Sequence, residues 1–255
     1  MGPVTERTLW GDVAVSLREA ITNGEYKPGH TLPSEFELAD RYSVSRDTVR
    51  RALNRLTQEG LLTPGRGRLG RQVRKSKPLT FYGVRSESQQ RVTERRNKGV
   101  DAWVADAAEQ GRTAAQSISV AMDEAAPEVA SRLEIPEGEL VVVRRRLRTI
   151  DGAPHNLNDT YYPREIAEGT PIMHPADVPQ GTIALMEDLG YKQIRYRDDL
   201  ETRMPTPDEA DRLQIPPGVP VLVQYRTGYT EERPVKLTIT VWPGDRTSLV
   251  YEFPA

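Results

Sequence analysis

The sequence predicts an α+β chain of two domains. Three helices and a β-hairpin are expected in residues 1–73, a linker in 74–80, and an antiparallel sheet carrying helices in 81–255. Three observations predict this: an uneven division of charge, a run of capped helices near the N-terminus, and an internal repeat in the second part. The chain has 255 residues, with 35 Lys and Arg against 37 Asp and Glu. Residues 1–77 hold 14 basic and 9 acidic side chains, a balance of +5, whereas 78–255 hold 21 and 28, a balance of −7. Within 41–77 the counts are 11 and 2. A basic segment on an acidic body fits either a polyanion-binding module or a solvated charged face. The pattern inside the segment decides between them.

Composition removes several function classes. With no cysteine, disulfide scaffolds, thiol nucleophiles and thiolate zinc sites are excluded. His30, His155 and His174 lack ligand-like spacing, so neither a metal nor another cofactor is expected. No apolar run approaches the ~20 residues of a membrane span, and the start lacks the basic-then-apolar shape of a leader. A cytoplasmic protein without membrane contact is the expectation.

The first helix is read from Trp10, Val13, Ala14, Leu17 and Ile21, spaced by threes and fours, and ends at Asn23-Gly24. Ser34 followed by Glu37 is a capping box for a short second helix over 35–41. After the turn Tyr42-Ser43-Val44, Ser45 caps a third helix whose buried stripe is Val49, Ala52, Leu53 and Leu56, ended by Gly60. A short capped helix, a tight turn and a longer helix form the unit that reads a major groove. On the third helix Arg46 and Arg50 share one exposed face, and Arg51 and Arg55 a second. A planar guanidinium bonds guanine or phosphate through two donors at once, and only Asp47 offers a nearby partner within the helix. Leu61-Leu62-Thr63 reads as a short strand. In Pro64–Val73 three glycines interleave with Arg66, Arg68 and Arg71, which suits a hairpin wing along a minor groove.

Taken together, Leu32-Pro33-Ser34-Glu35, Val44-Ser45-Arg46, Thr48-Val49-Arg50-Arg51-Ala52-Leu53 and Glu59-Gly60-Leu61-Leu62 closely resemble the winged helix-turn-helix of GntR-family bacterial transcription regulators over residues 8–74. The resemblance implies operator contacts by Arg46 and Arg50, with Ser45 and Thr48 at phosphates. The full candidate DNA-facing set is Ser34, Glu35, Ser45, Arg46, Thr48, Arg50, Arg51, Arg68 and Gly70. Gly70 takes the wing-tip position, with Gly67 as the other register, because Arg71-Gln72 stands where the family carries Thr-Phe.

Residues 130–138 repeat at 210–218, and the offset of 80 continues through Val141/Val221, Arg146/Arg226, Leu157/Leu237 and Thr160/Thr240. Each copy reads as a short helix, a strand (140–148; 221–228) and a returning strand (155–162; 235–242), a duplicated unit whose halves share one sheet. Further helices are expected over 183–190 and 100–110. Strand alternation places Arg144, Arg146 and Arg148 on one face, with Arg145 and Leu147 on the other. The three arginines either clamp an anionic ligand or pair with acids of a neighbouring strand, such as Asp199 and Glu201. The residues alone leave both open.

Ile135-Pro136-Glu137-Gly138, Val143-Arg144-Arg145-Arg146-Leu147-Arg148, Asp151-Gly152-Ala153-Pro154 and Thr160-Tyr161-Tyr162-Pro163 resemble the effector-binding UTRA domain of the HutC subfamily, which has the chorismate-lyase-like fold. The resemblance implies an effector site of Arg146, Arg148, Thr160, Tyr162 (or Tyr161), Lys236 and Trp242. Lys236 stands where the family often has glutamate, which turns the expectation from an amino sugar phosphate towards a more anionic effector.

The expected protein is a non-enzymatic, ligand-responsive regulator. It would be a homodimeric repressor on a palindromic double-stranded DNA operator, released by a small anionic molecule. One alternative is a constitutive repressor of a mobile element whose C-terminal domain only dimerises. The other is a chorismate-lyase-like enzyme, for which no nucleophile–base constellation is found.

Overall fold

The computed structural model describes residues 9–63, 70–74, 79–83, 88–99 and 101–252. The chain divides into two compact units, residues 1–77 with 215–219 and residues 78–214 with 220–255. Of the expectations above, Pro64–Leu69 of the wing, Arg68 among them, linker residues 75–78 and Val100 lie outside the described residues.

The first unit contains α1 (Leu9–Thr22), α2 (Glu35–Tyr42) and α3 (Arg46–Gln58). The starts of α2 and α3 have local causes. Ser34 Oγ accepts the Glu37 amide at 3.2 Å, while the Ser34 amide donates to Glu37 Oε2 at 2.7 Å. Two amides without helical partners are thereby satisfied. Ser45 Oγ accepts the Thr48 amide at 3.1 Å and caps α3. Between them Ser43 takes φ 53°, the left-handed conformation that reverses the chain and ends α2. Leu17, Leu38, Val49, Ala52, Leu53 and Leu56 meet in one core with Leu62 and Val73. The strand expected over 61–63 is reduced to a single bridge, Leu62 with Val73, beside a second between Thr31 and Gln72. The backbone of 70–74 has to serve two neighbours at once: Leu32 N donates to Arg71 O at 2.8 Å and Thr63 N to Gln72 O at 2.9 Å.

The second unit runs β1 (Leu79–Tyr82), α4 (Gln89–Lys98), α5 (Ala102–Glu109), β2 (Ala114–Glu124), α6 (Pro127–Leu133), β3 (Leu140–Ile150), β4 (Ala153–Pro163), α7 (Arg164–Ala167), α8 (Thr182–Asp188), β5 (Arg195–Arg203), α9 (Pro207–Leu213), β6 (Val221–Tyr229), β7 (Pro234–Pro243) and β8 (Thr247–Val250). Six strands form one antiparallel sheet in the order β2-β3-β4-β7-β6-β5. β1 pairs with β8 in a separate parallel ladder, with Leu79 opposite Thr247. Leu79 and Thr80, expected in the linker, are thus strand residues. Their partners lie far along the chain, and no local signal announces the pairing.

The helix–hairpin units α6-β3-β4 and α9-β6-β7 sit at matching places in the sheet. Each helix starts on a proline and ends at a residue with positive φ, Glu134 (55°) and Gln214 (51°). The central ladder pairs Asp159 with Ile239, positions 80 apart. The register irregularities also correspond, at Arg148/Thr149 and Gly228/Tyr229. Because opposed residues in an antiparallel pair share a face, this registry puts every even-numbered residue from Arg144 to Arg148, Asn156 to Tyr162, Gln224 to Gly228 and Lys236 to Trp242 on one side.

That side carries an aromatic cluster. Phe81 stacks on Trp103 with ring centroids 4.7 Å apart and tilts against Trp242 at 4.8 Å, with His155 packed beside Trp103 at 5.4 Å. Burial, with the charges of Arg246 and Arg112, lowers the His155 pKa from 6.5 to about 4.

Leu17 is fully buried, so Leu17→Ala is expected to cost about 2–5 kcal/mol, read as faster hydrogen exchange at α1 and α3 amides than in the wild type. His155 has a folded pKa below its unfolded value. The stability it contributes is therefore complete above pH 6.5 and is lost as pH falls towards about 4. Thermal unfolding between these limits should show a decline that His155→Phe flattens by roughly 3 kcal/mol.

Candidate nucleic-acid face and ligand cleft

On the first unit, α3 presents its arginines away from its apolar stripe. Arg46, Arg50, Arg51 and Arg55 are all exposed. Arg50 lies 3.5 Å from Glu35 and 3.9 Å from Asp47, and Arg51 lies 3.0 Å from Asp47. Glu59 accepts from both Arg55 and Arg18. More carboxylates therefore serve the helix than the sequence suggested, since Glu35 reaches it from α2. These pairs are solvent-exposed and weak, and they orient the guanidinium groups without sequestering them. Glu35, one of the expected DNA-facing residues, is a partner of Arg50. Ser34 and Ser45 spend their hydroxyls on helix caps, and Thr48 Oγ1 lies 2.8 Å from Ser45 Oγ. Gly70 has φ 58°, and a Cβ there would meet Thr31 Cγ2 at 3.0 Å. It stands two residues before Gln72 of the Thr31–Gln72 bridge. Arg71 is tied to α3 through Thr57 Oγ1 (2.7 Å) and Asn54 Oδ1 (2.5 Å). It braces the hairpin where the sequence offered it as a further groove contact.

On the second unit, the even-numbered face of the sheet floors a cleft that opens to solvent. Arg146, Arg148, Thr160, Tyr162, Lys236 and Trp242 all line it. The structure thus brings together all six effector-site candidates. Phe81 to Gly83 of the β1 segment form one wall, and Gln180 to Ala184, leading into α8, another.

The three arginines of β3 are satisfied in different ways. Arg144 is fully buried and donates to the carbonyls of Ile172 (2.6 Å), His174 (2.6 Å) and Ala176 (2.8 Å). It fastens the segment that leads into the α8 wall. Arg148 lies over the Trp103 ring at 5.2 Å and donates to Gln116 Oε1 at 3.4 Å. Arg146 is 8% exposed and finds two neutral acceptors, Thr160 Oγ1 at 3.2 Å and Asn158 Oδ1 at 3.4 Å. Among the described residues no carboxylate is within ion-pair distance of it. Asp199 and Glu201 are engaged by Arg132 on the opposite face, and Arg145 is engaged there by Asp123 and Asp159. A buried cation with only weak neutral partners is a place where an anion gains far more than it would in water.

Sequence reasoning passed over Trp103, Asn158 and Thr240, which also line the cleft. Asn158 and Thr240 are linked at 2.8 Å. Among the described residues, the buried indole N–H groups of Trp103 and Trp242 and the buried hydroxyl of Tyr162 have no hydrogen-bond partner, and all three residues belong to the cleft lining. Arg226 also lines the cleft and is neutralised by Asp198 at 2.6 and 2.7 Å. Burial works against the Asp198 charge, but the bonds from Arg226, Tyr251 and Gln224 outweigh it and hold its pKa below the ordinary value. Tyr251 is pushed up to about 12 by burial and by that carboxylate, so it stays a donor. The repeat pointed to Arg226 through Arg146. Nothing local pointed to Trp103. Lys236 is 3% exposed, with its ammonium 5.6 Å from the centroid of the Tyr196 ring. Among the described residues no His/Asp/Glu cluster suits a metal ion, and no helix is long and apolar enough to cross a membrane.

The family model for bacterial regulatory proteins of the gntR family matches residues 9–68, and that for the UTRA domain matches residues 108–248. The chain is 32% identical over 251 residues to an uncharacterized HTH-type transcriptional regulator of Streptomyces coelicolor, covering 96% of this chain and 92% of that protein. It is 27% identical to the HTH-type transcriptional repressor NagR of Bacillus subtilis, covering 95% and 93%. It is 28% identical to the histidine utilization repressor of Pseudomonas putida, covering 96% and 92%. A crystal structure of a GntR-family regulator superposes with a TM-score of 0.66 at 25% identity, covering 98% of this chain and 99% of that one. PhnF of Mycobacterium smegmatis, at 22% identity and a TM-score of 0.55, shares the fold over 95% and 99%. All these relatives named for a function are regulators of transcription, and none is named as an enzyme. With a capped recognition helix in its first unit and a UTRA sheet in its second, the chain belongs to the GntR family of bacterial transcriptional regulators, in its UTRA-bearing, HutC-like group.

Proposed function

We propose that the protein is a repressor that binds a near-palindromic operator as a homodimer and leaves it when a small anionic effector occupies the cleft. The observation that carries this reading is Arg146: a guanidinium on the cleft floor, withdrawn from water, with Asn158 and Thr160 as its side-chain acceptors among the described residues. A phosphate or carboxylate there would also be within the surroundings of Arg148. The repressor names of the Bacillus and Pseudomonas relatives support the direction of control.

The remainder of the ligand would lie against the rings of Trp103 and Trp242. Lys236 adds positive charge to the lining and favours a second anionic group over an amino group. The route to the DNA-binding unit is covalent. Phe81, Tyr82 and Gly83 touch the cleft, and their strand begins at Leu79, directly after the linker residues. A ligand that binds tighter to one setting of β1 shifts the populations of the two states by that difference in affinity.

On DNA selected from a random pool, Arg50→Ala should lose ~1–3 kcal/mol for each base contact removed. Unchanged affinity by filter binding would show that Arg50 is not a reader. In the cleft, a panel of phosphorylated sugars and sugar acids should raise the thermal midpoint of the wild type by mass action, about 2.7 kcal/mol at a hundredfold excess over Kd. Arg146→Gln should abolish that gain. Lys236→Glu should weaken doubly anionic members of the panel more than singly anionic ones. Equal losses would remove Lys236 from ligand selection.

A further inference from the structure

The two arginines 80 residues apart, Arg146 on β3 and Arg226 on β6, occupy equivalent sites in the sheet and both line the cleft. What stands opposite each differs. β2 places Ile118 across from Arg146, and β5 places Asp198 across from Arg226. These partners are themselves 80 apart, and paired residues of an antiparallel ladder share a face. Asp198 grips Arg226 at 2.7 and 2.6 Å and accepts also from Tyr251 Oη at 2.9 Å and Gln224 Nε2 at 3.1 Å. One carboxylate therefore sits in a ring of four donor bonds, as a bound anion would. At the first position the opposing side chain is aliphatic, and among the described residues Arg146 keeps Asn158 and Thr160 alone. Asp101 and Asp177 border the cleft and the recess beside Ile118, but neither lies within ion-pair distance of Arg146. Asp101 accepts the Trp103 amide at 2.8 Å as the cap of α5.

We propose that the cleft contains two equivalent anion half-sites, that Asp198 is the chain's own occupant of the second, and that the Ile118/Asp198 difference directs an anionic group of the effector to Arg146 and bars it from Arg226. This rests on the reading of Arg146 as the anion site and adds which residue enforces the choice. An acid at position 118 should act as an internal competitor at Arg146. Removal of the acid at 198 should open a second anion site beside Arg226, Tyr251 and Gln224.

The test is a titration of the full-length protein with inorganic phosphate, read at the arginine Nε–Hε NMR signals and assigned with Arg146→Gln and Arg226→Gln. In the wild type the Arg146 signal should shift and the Arg226 signal should stay still. In Asp198→Ala the Arg226 signal should begin to titrate. Ile118→Asp should weaken the response at Arg146 at least tenfold, whereas Ile118→Asn should leave it within about twofold. A folded Asp198→Ala protein whose Arg226 ignores phosphate at concentrations that saturate Arg146 would overturn the proposal. So would an Ile118→Asp protein that binds as the wild type does. If Asp198→Ala does not fold, the Ile118 pair decides alone. A wild type in which Arg146 itself does not respond would instead fail the anion-site reading, and this inference with it.

Discussion

A guanidinium withdrawn from water must be met by acceptors, and the cleft face of the sheet meets that demand in three ways. Arg144 takes three backbone carbonyls and pins the segment before α8. Arg226 takes a carboxylate. Arg146 takes two neutral oxygens at long distance. The first arrangement builds a wall, the second closes a site, and the third leaves a charge that a solute can satisfy. All three follow from a single registry, in which the β4–β7 ladder sets even positions on one side. A one-residue slip would turn the arginines to the far face, among the acids that hold Arg132 and Arg145.

Local signals in the chain were easy to read. Ser34 with Glu37 and Ser45 with Thr48 fix helix starts through bonds made within three residues, so their spacing alone locates α2 and α3. The offset of 80 located both hairpins, because equal sequences in equal positions must alternate alike. Long-range partners stayed hidden. β1 is four residues whose ladder lies near position 247. β5, Arg-Tyr-Arg-Asp-Asp-Leu-Glu-Thr-Arg, is a charged edge strand without an apolar stripe; Asp199 and Glu201 were expected on a strand beside the arginines of β3, but their strand pairs with β6. Gly70 takes a positive φ beside Thr31, a close approach that sequence spacing alone did not show.

The candidate site was legible to the extent that its residues lie on the repeated hairpins. Arg146, Arg148, Thr160, Tyr162, Lys236 and Trp242 come from β3, β4 and β7 and converge on one cleft. Trp103 and Phe81 come from α5 and β1, outside the repeat, and only three-dimensional packing brings their rings to Trp242. On the first unit, α3 showed its exposed arginines plainly. The role of Glu35 as a partner of Arg50 required the angle between α2 and α3, which sequence does not carry.

The parallel pairing of β1 with β8 has an architectural consequence. It sets the strand by which the chain enters its second unit beside the last strand of that unit, Leu79 next to Thr247 and Tyr82 next to Val250. Because the strands run parallel, the chain comes in at one end of this short ladder, by Leu79, and goes out at the other, after Val250, so a shift of the incoming strand is passed to the outgoing one through shared backbone hydrogen bonds.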